Sequence, residues 1–128
     1  MANVPDDLRY TAEHEWVRLK EAGTVEVGIT DYAQGELGDI VFVNLPKLGE
    51  RRAAHQVFGT IEAVKAVSDL FSPVGGEVVA VNSTLDQDPA AVNRAPYGEG
   101  WMIRLRMDDP KSVDALLSPT AYRAQINA

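Results

Sequence analysis

The side chain best placed for covalent chemistry is Lys65, in the run IEAVKAVSDLF at 61–71. It stands between Val64 and Ala66, with Ala63 and Val67 beyond them. The apolar segments on either side predict two strands, Val57 to Val64 and Ala66 to Phe71, with the lysine at the bend. A tight hairpin tip ordinarily uses Gly, Asn or Asp, which reach positive φ cheaply. None stands within three residues of Lys65. A tip of small apolar residues around one ammonium suits an enzyme that must recognise and modify a single lysine, with Glu62, Val64 and Ala66 as the recognition flank. The plainer reading is a solvated turn residue. Glu62 and Asp69 lie within four residues of the lysine. They either orient a docking partner or keep the hairpin soluble.

Other chemistries are poorly served. The chain has no cysteine, which excludes disulfides, thiolate metal sites and a protein dithiol. Redox sulfur would have to come from outside the sequence. The two histidines are His14 and His55. Glu13, His14 and Glu15 are adjacent, but strand alternation would put the two glutamates on one face and the histidine on the other. No metal site is expected from them. There is no Gly-rich phosphate loop and no nucleophile elbow, so no catalytic residue is assigned. Trp16 and Trp101 are read as core.

The 128 residues suit one domain, 1–128, with a β core over about 14–107 and C-terminal helices over about 110–126. A chain of this size buries roughly two thirds of its unfolded surface without staples. The formal net charge is −7, which disfavours nucleic acid and anionic membrane surfaces as partners. It suits solubility, or partners with basic entrances. The first residues, MANVPDDLRYTAEHEW, lack the features of a signal or transit peptide. No run approaches the roughly 18 apolar residues of a membrane helix. A cytoplasmic location is expected.

The elements that would position Lys65 are mostly strands. His14 to Lys20 and Thr24 to Ile29 form a hairpin through Glu21-Ala22-Gly23. Thr30 or Asp31 caps a short helix that Gly38 ends. Ile40 to Leu45, an unbroken apolar run before Pro46, reads as a strand buried on both sides. Glu77 to Asn82 is another strand. Residues 83–100 are loop-like, with one helical turn at Pro89 to Val92. In WMIRLRM, Trp101, Ile103, Leu105 and Met107 face one way and Arg104 and Arg106 the other. Asp109-Pro110 and Ser118-Pro119 start two helices, whose apolar stripes are Val113, Leu116 and Leu117, then Tyr122 and Ile126.

Gly38-Asp39-Ile40-Val41-Phe42-Val43-Asn44 is matched position by position by Gly76-Glu77-Val78-Val79-Ala80-Val81-Asn82, with only Phe42 against Ala80 differing greatly in size. Two copies suggest two half-units related by a pseudo-twofold axis rather than a solenoid, which needs three or more. Lys65 lies between the copies, where the chain crosses from one half to the other.

The blocks YTAEHEWV (10–17), VGITDYAQGELGDIVFVNLPKLG (27–49), IEAVKAVSDLFSPVGGEVVAVN (61–82) and PYGEGWMIRL (96–105), with the paired C-terminal helices, resemble the glycine cleavage system H-protein family. The resemblance covers nearly the whole chain. It implies a mostly β, lipoyl/biotinyl-type β sandwich: a flattened, barrel-like pair of antiparallel sheets, pseudo-twofold, with a short internal helix and C-terminal helices. It implies (R)-lipoic acid in amide linkage to Lys65. The implied role is a non-catalytic shuttle. Such a shuttle takes an aminomethyl group from a pyridoxal-phosphate glycine decarboxylase to a tetrahydrofolate-dependent aminomethyltransferase. A dihydrolipoyl dehydrogenase then reoxidises the arm, and a lipoate-attaching enzyme installs it. Glu15, Ser68 and Asp69 match positions that are candidates for a cleft holding the loaded arm. Glu36 carries little weight, because related sequences vary there. The alternative within the family is a lipoate-relay carrier with no part in glycine cleavage. A biotin carrier is a poorer match, since its lysine sits between methionines. A lipoyl domain of a 2-oxoacid dehydrogenase would carry a Pro/Ala-rich linker, which this chain lacks.

Overall fold

Alternating apolar residues and short turn-rich connections produce two antiparallel sheets in the computed structural model, which describes residues 2–21 and 23–127. The strands are β1 (Arg9–Tyr10), β2 (Glu15–Leu19), β3 (Thr24–Ile29), β4 (Ile40–Asn44), β5 (Arg51–Arg52), β6 (Val57–Ala63), β7 (Val67–Phe71), β8 (Gly76–Val81) and β9 (Ile103–Met107). The larger sheet has the order β1-β2-β3-β9-β8-β5 and the smaller β4-β6-β7. Their facing sides bury Val25, Val27, Phe58, Ile61, Leu70 and Leu105, among others, in one core. A second cluster of Val4, Leu8, Tyr10, Trp16 and Tyr122 holds the N-terminal segment against the C-terminal helix. The expected lipoyl-type sandwich is what is found. Ala22, in the expected β2–β3 turn, lies outside the described residues. Among the described residues no helix is long and apolar enough to cross a membrane.

The sequence repeat maps onto a structural one. β4 and β8 each carry an irregularity at the same repeat position, between Ile40 and Phe42 in one and between Val78 and Ala80 in the other. A bulge admits one extra residue and twists the strand. Here it turns Val41 and Val79 outward, 53% and 37% exposed. The halves are β3-β4-β6 and β7-β8-β9. Each places its last two strands in one sheet and lends its first strand to the other, since β3 pairs with β9 and β7 pairs with β6. That exchange makes the 64–66 bend the junction between halves.

The bulge also corrects one expectation. The run at 40–45 is not buried on both sides: Ile40 and Val43 are buried, but Val41 and Phe42 are exposed, and β4 is a sheet edge. An unbroken apolar run fixes no face once a bulge breaks its alternation. Several strand ends shift by one residue, and three further differences have a local cause. The first long strand begins at Glu15, because His14 adopts φ +73°. The turn expected at Pro89 is a short helix, α2 (Ala91–Arg94). The Asp109-Pro110 start leads into a 3-10 helix, Pro110–Ala115, with the Asp109 side chain accepting from the Lys111 amide.

The other helices follow their caps. In α1 (Asp31–Leu37) the Thr30 hydroxyl accepts from the Ala33 amide, and Gly38, at φ +81°, ends the helix. In α3 (Pro119–Ile126) the Ser118 hydroxyl accepts from the Ala121 amide, and Asn127 closes it in the left-handed region. Trp101 precedes β9 and is only partly buried, with the Arg104 guanidinium 4.5 Å from its ring centre. Trp16 is fully buried, as expected.

Candidate functional site

The β6–β7 hairpin lifts Lys65 into solvent. Its last paired rung is Glu62 with Val67. Beyond it the Ala63 amide donates to the Ala66 carbonyl at 2.7 Å and the Val64 amide to the Asp39 carbonyl at 3.1 Å. These bonds pin the bend without a left-handed residue at 64–66. The backbone, not turn chemistry, therefore fixes the tip, and this resolves the missing Gly, Asn or Asp. Val64, Lys65, Ala66 and Val67 are all exposed, Val64 at 76%. Glu62 is half-buried just below them. The lysine's Cε passes close to Gly38, where a β-carbon would stand 3.6 Å from it.

Beside the hairpin lies a cleft of about 260 Å³ between β7, the Glu13–Glu15 segment and α1. Its lining includes three residues that sequence comparison proposed, Glu15, Ser68 and Asp69. Ile29, Ile61 and Leu70 supply apolar wall. A lysine bearing a lipoyl chain spans on the order of 14 Å. At about 3.4 Å per strand residue, Ser68 and Asp69 lie roughly 10 and 14 Å along the hairpin from Lys65. An arm folded down the hairpin ends at the cleft.

Glu15 is the distinctive group there. It is buried, with Oε1 accepting from the Thr11 hydroxyl at 2.5 Å and Oε2 from the Phe71 amide at 3.2 Å. Glu26, the other buried glutamate, makes a useful contrast. It accepts from Arg18 and Arg104 and has Lys20 4.0 Å away. Its charge is met within the protein. Among the described residues Glu15 has neutral donors only and no ion pair. Burial pushes its carboxyl up to about 7, against the Thr11 and Phe71 hydrogen bonds, which favour the charged form. A buried carboxyl with neutral partners and a face on a cleft has an acceptor to offer a cation in that cleft, whose charge would favour its ionised form.

The elevation has a measurable consequence. Glu15's folded pKa lies above its unfolded value. The stability it confers is therefore complete below the ordinary glutamate range and is lost as pH rises through about 7. In thermal melts of the unmodified chain, Glu15→Gln should match the parent at pH 5 and exceed it by a few degrees at pH 8. Equal melting temperatures at both pH values would show that the carboxyl is not raised.

Sequence reasoning passed over part of the site. Glu13, His14 and Glu15 all line the cleft. The alternation that was to separate them does not operate, because His14 is left-handed and sits before the strand. His14 Nδ1 is 2.8 Å from the Tyr122 hydroxyl, so this ring nitrogen is engaged by the C-terminal helix. Tyr32 and Glu36 of α1 also border the cleft. Their i, i+4 spacing puts both on one face of the helix.

A family model described as glycine cleavage H-protein matches residues 8–128. The chain is 56% identical over 122 residues to the glycine cleavage system H protein of Opitutus terrae, covering 95% of this chain and 96% of that one. It is 58% identical over 125 residues to that of Chlorobaculum tepidum, covering 97% and 98%. The crystal structure of a glycine cleavage system H protein from Mycobacterium marinum superposes with a TM-score of 0.89 at 40% identity, covering 98% of this chain and all of the other.

Proposed function

Because the chain belongs to the glycine cleavage H-protein family, we propose that it is the lipoyl-bearing shuttle of a glycine cleavage system, with Lys65 as the attachment lysine. The observation that carries this reading is the pairing of one exposed amine at the junction of two half-units with a cleft, one arm's length away, that holds an unneutralised buried carboxylate. Residues 1–128 act as one carrier domain. A lipoyl group amide-linked to Lys65 would supply a disulfide able to take the aminomethyl group on one sulfur while the other is reduced to a thiol.

The chain's own residues do the rest. Val64, Ala66 and Glu62 present the lysine to a lipoate-attaching enzyme. The stiff hairpin keeps the amine's attachment point fixed while the side chain swings, so each transfer is a local event rather than a new encounter. Glu15 accepts a charge-assisted hydrogen bond from the carried ammonium. Ser68 and Asp69 offer further acceptors at the mouth, and Ile29, Ile61 and Leu70 keep water from that end of the arm. The partners are a pyridoxal-phosphate glycine decarboxylase, an aminomethyltransferase and a dihydrolipoyl dehydrogenase, in the cytoplasm. The chain itself is not an enzyme.

Incubation with lipoate, ATP and a lipoate-attaching enzyme should add one lipoyl mass, mapped by peptide fragmentation to Lys65. Glycine and the decarboxylase should then add one aminomethyl mass to the oxidised arm, with loss of carbon dioxide and reduction of the other sulfur to a thiol. Lipoylation without aminomethyl loading would leave a lipoate relay in place of the shuttle. No lipoylation would end both readings.

A further inference from the structure

His14 borders the cleft beside Glu15, and the C-terminal helix backs it from behind. Tyr122, fully buried on α3, places its hydroxyl 2.7 Å from Thr30 Oγ1 and 2.8 Å from His14 Nδ1. The protons in this chain can be assigned by satisfaction. Thr30 is wholly buried. Among the described residues its Oγ1 has two polar neighbours, the Ala33 amide, which can only donate, and the Tyr122 hydroxyl. Its own proton therefore goes to the Tyr122 oxygen. Tyr122 must then donate onward, and the acceptor is His14 Nδ1. A nitrogen that accepts carries no proton, so the neutral imidazole holds its hydrogen on Nε2.

We propose that Tyr122 locks His14 in the neutral Nε2–H form, so that the imidazole offers the cleft no base for the carried ammonium. The proposal rests on the shuttle reading above and adds a chemical reason for the C-terminal helix. Hydrolysis of the carried group starts with loss of a proton from its ammonium. The nitrogen lone pair then breaks the carbon–sulfur bond, the bonding pair leaves with sulfur, and water adds to the carbon. The products are thiol, formaldehyde and ammonium. A free imidazole nitrogen in the cleft would accept that first proton. An imidazole whose accepting nitrogen is already occupied by Tyr122 does not.

The surroundings keep the lock closed. Protonating Nδ1 would force Tyr122 to give up its acceptor and leave the buried Thr30 proton without one. Burial also depresses the His14 pKa, against the nearby Glu13 and Glu36 carboxylates, which raise it. The titratable groups bordering the same cleft are Glu13 and Glu15 on the histidine's own segment, Tyr32 and Glu36 on α1 and Asp69 on β7. Tyr122 faces the ring from α3.

Nitrogen-15 NMR of the full chain near neutral pH reads the tautomer directly. The expected spectrum shows His14 with Nε2 protonated and Nδ1 unprotonated, and Tyr122→Phe relaxes it toward a mixture. A protonated Nδ1 in the parent overturns the proposal. On lipoylated, aminomethyl-loaded protein, formaldehyde release per loaded chain should speed up roughly three- to tenfold in Tyr122→Phe, the worth of one neutral hydrogen bond. His14→Asn tolerates the left-handed backbone but has no basic nitrogen, so it should release formaldehyde no faster than the parent and, added to Tyr122→Phe, should cancel that variant's acceleration. Release from folded Tyr122→Phe no faster than from the parent overturns the proposal, and where that variant does not fold, a parent His14 without its proton on Nε2 does so. Glu15→Gln, run alongside, separates the two levels: faster release there alone leaves the shuttle reading standing and removes the His14 lock. Release from the parent as fast as from heat-unfolded loaded protein would remove both.

Discussion

Lys65→Arg should leave a chain that folds as the parent does, takes up no lipoyl mass and transfers no aminomethyl group above background. The fold half of this expectation follows from what pins the bend. The Ala63–Ala66 and Val64–Asp39 bonds are made by backbone atoms, and the side chain at 65 is exposed. Substitutions at such positions move stability by about 0.5 kcal/mol or less. The functional half follows from the amine. Acylation needs a nitrogen lone pair, which an ammonium regains on losing a proton and a guanidinium, with a pKa above about 12, does not. Charge and length are nearly kept, so partner enzymes meet the same electrostatic surface. The loss is then specific to the nucleophile. Intact-mass analysis, a thermal melt and an assay coupling glycine to formaldehyde or methylene-tetrahydrofolate read the three parts separately. Wild-type turnover by Lys65→Arg would mean that another group carries the cargo.

How much of this was legible beforehand depends on whether a feature is set locally. The 38–44 and 76–82 repeat was readable residue by residue, and it led to the two half-units with Lys65 at their junction. What it withheld was the bulge, because nothing in Ile40 to Asn44 marks which residue is the extra one. The caps at Thr30 and Ser118 were legible, since a cap is a contact over three residues. The alternation in β9 was legible from Ile103 onward and misleading at Trp101, where the chain is not yet paired. The cleft was legible only in part. Glu15 owes its burial to Thr11 on one side and to Phe71, 56 residues away, on the other. The left-handed turn at His14 answers to a hydrogen bond from Thr30 to its carbonyl and to Tyr122, 108 residues on. No spacing rule spans those distances. The missing turn residues at 64–66, by contrast, were a correct local observation. Their cause was remote, a carbonyl at the start of β4.

That remote assembly is also why the second large effect is expected at Glu15. Glu15→Gln is close in size and shape. A glutamine can still accept from the Phe71 amide or the Thr11 hydroxyl, and an unlipoylated protein loses little by the change. The loaded protein loses the one buried carboxylate in the cleft that, among the described residues, no cation already meets. A hydrogen bond to a charged group is worth about 1.5–3 kcal/mol, so the lifetime of the carried aminomethyl group should shorten roughly ten- to hundredfold. The pH profile makes the assignment specific. With its carboxyl raised to about 7, the empty parent holds Glu15 largely protonated at pH 6 and ionised at pH 8. Arrival of an ammonium favours the ionised form and releases a proton. Protection in the parent should therefore strengthen from pH 6 to pH 8, relative to the bare hydrolysis rate, while Glu15→Gln shows no such rise. The measurement is formaldehyde release from loaded protein across that range. A glutamine variant that protects as well as the parent at pH 8 would remove the carboxylate from the site and leave the apolar wall to account for whatever protection remains.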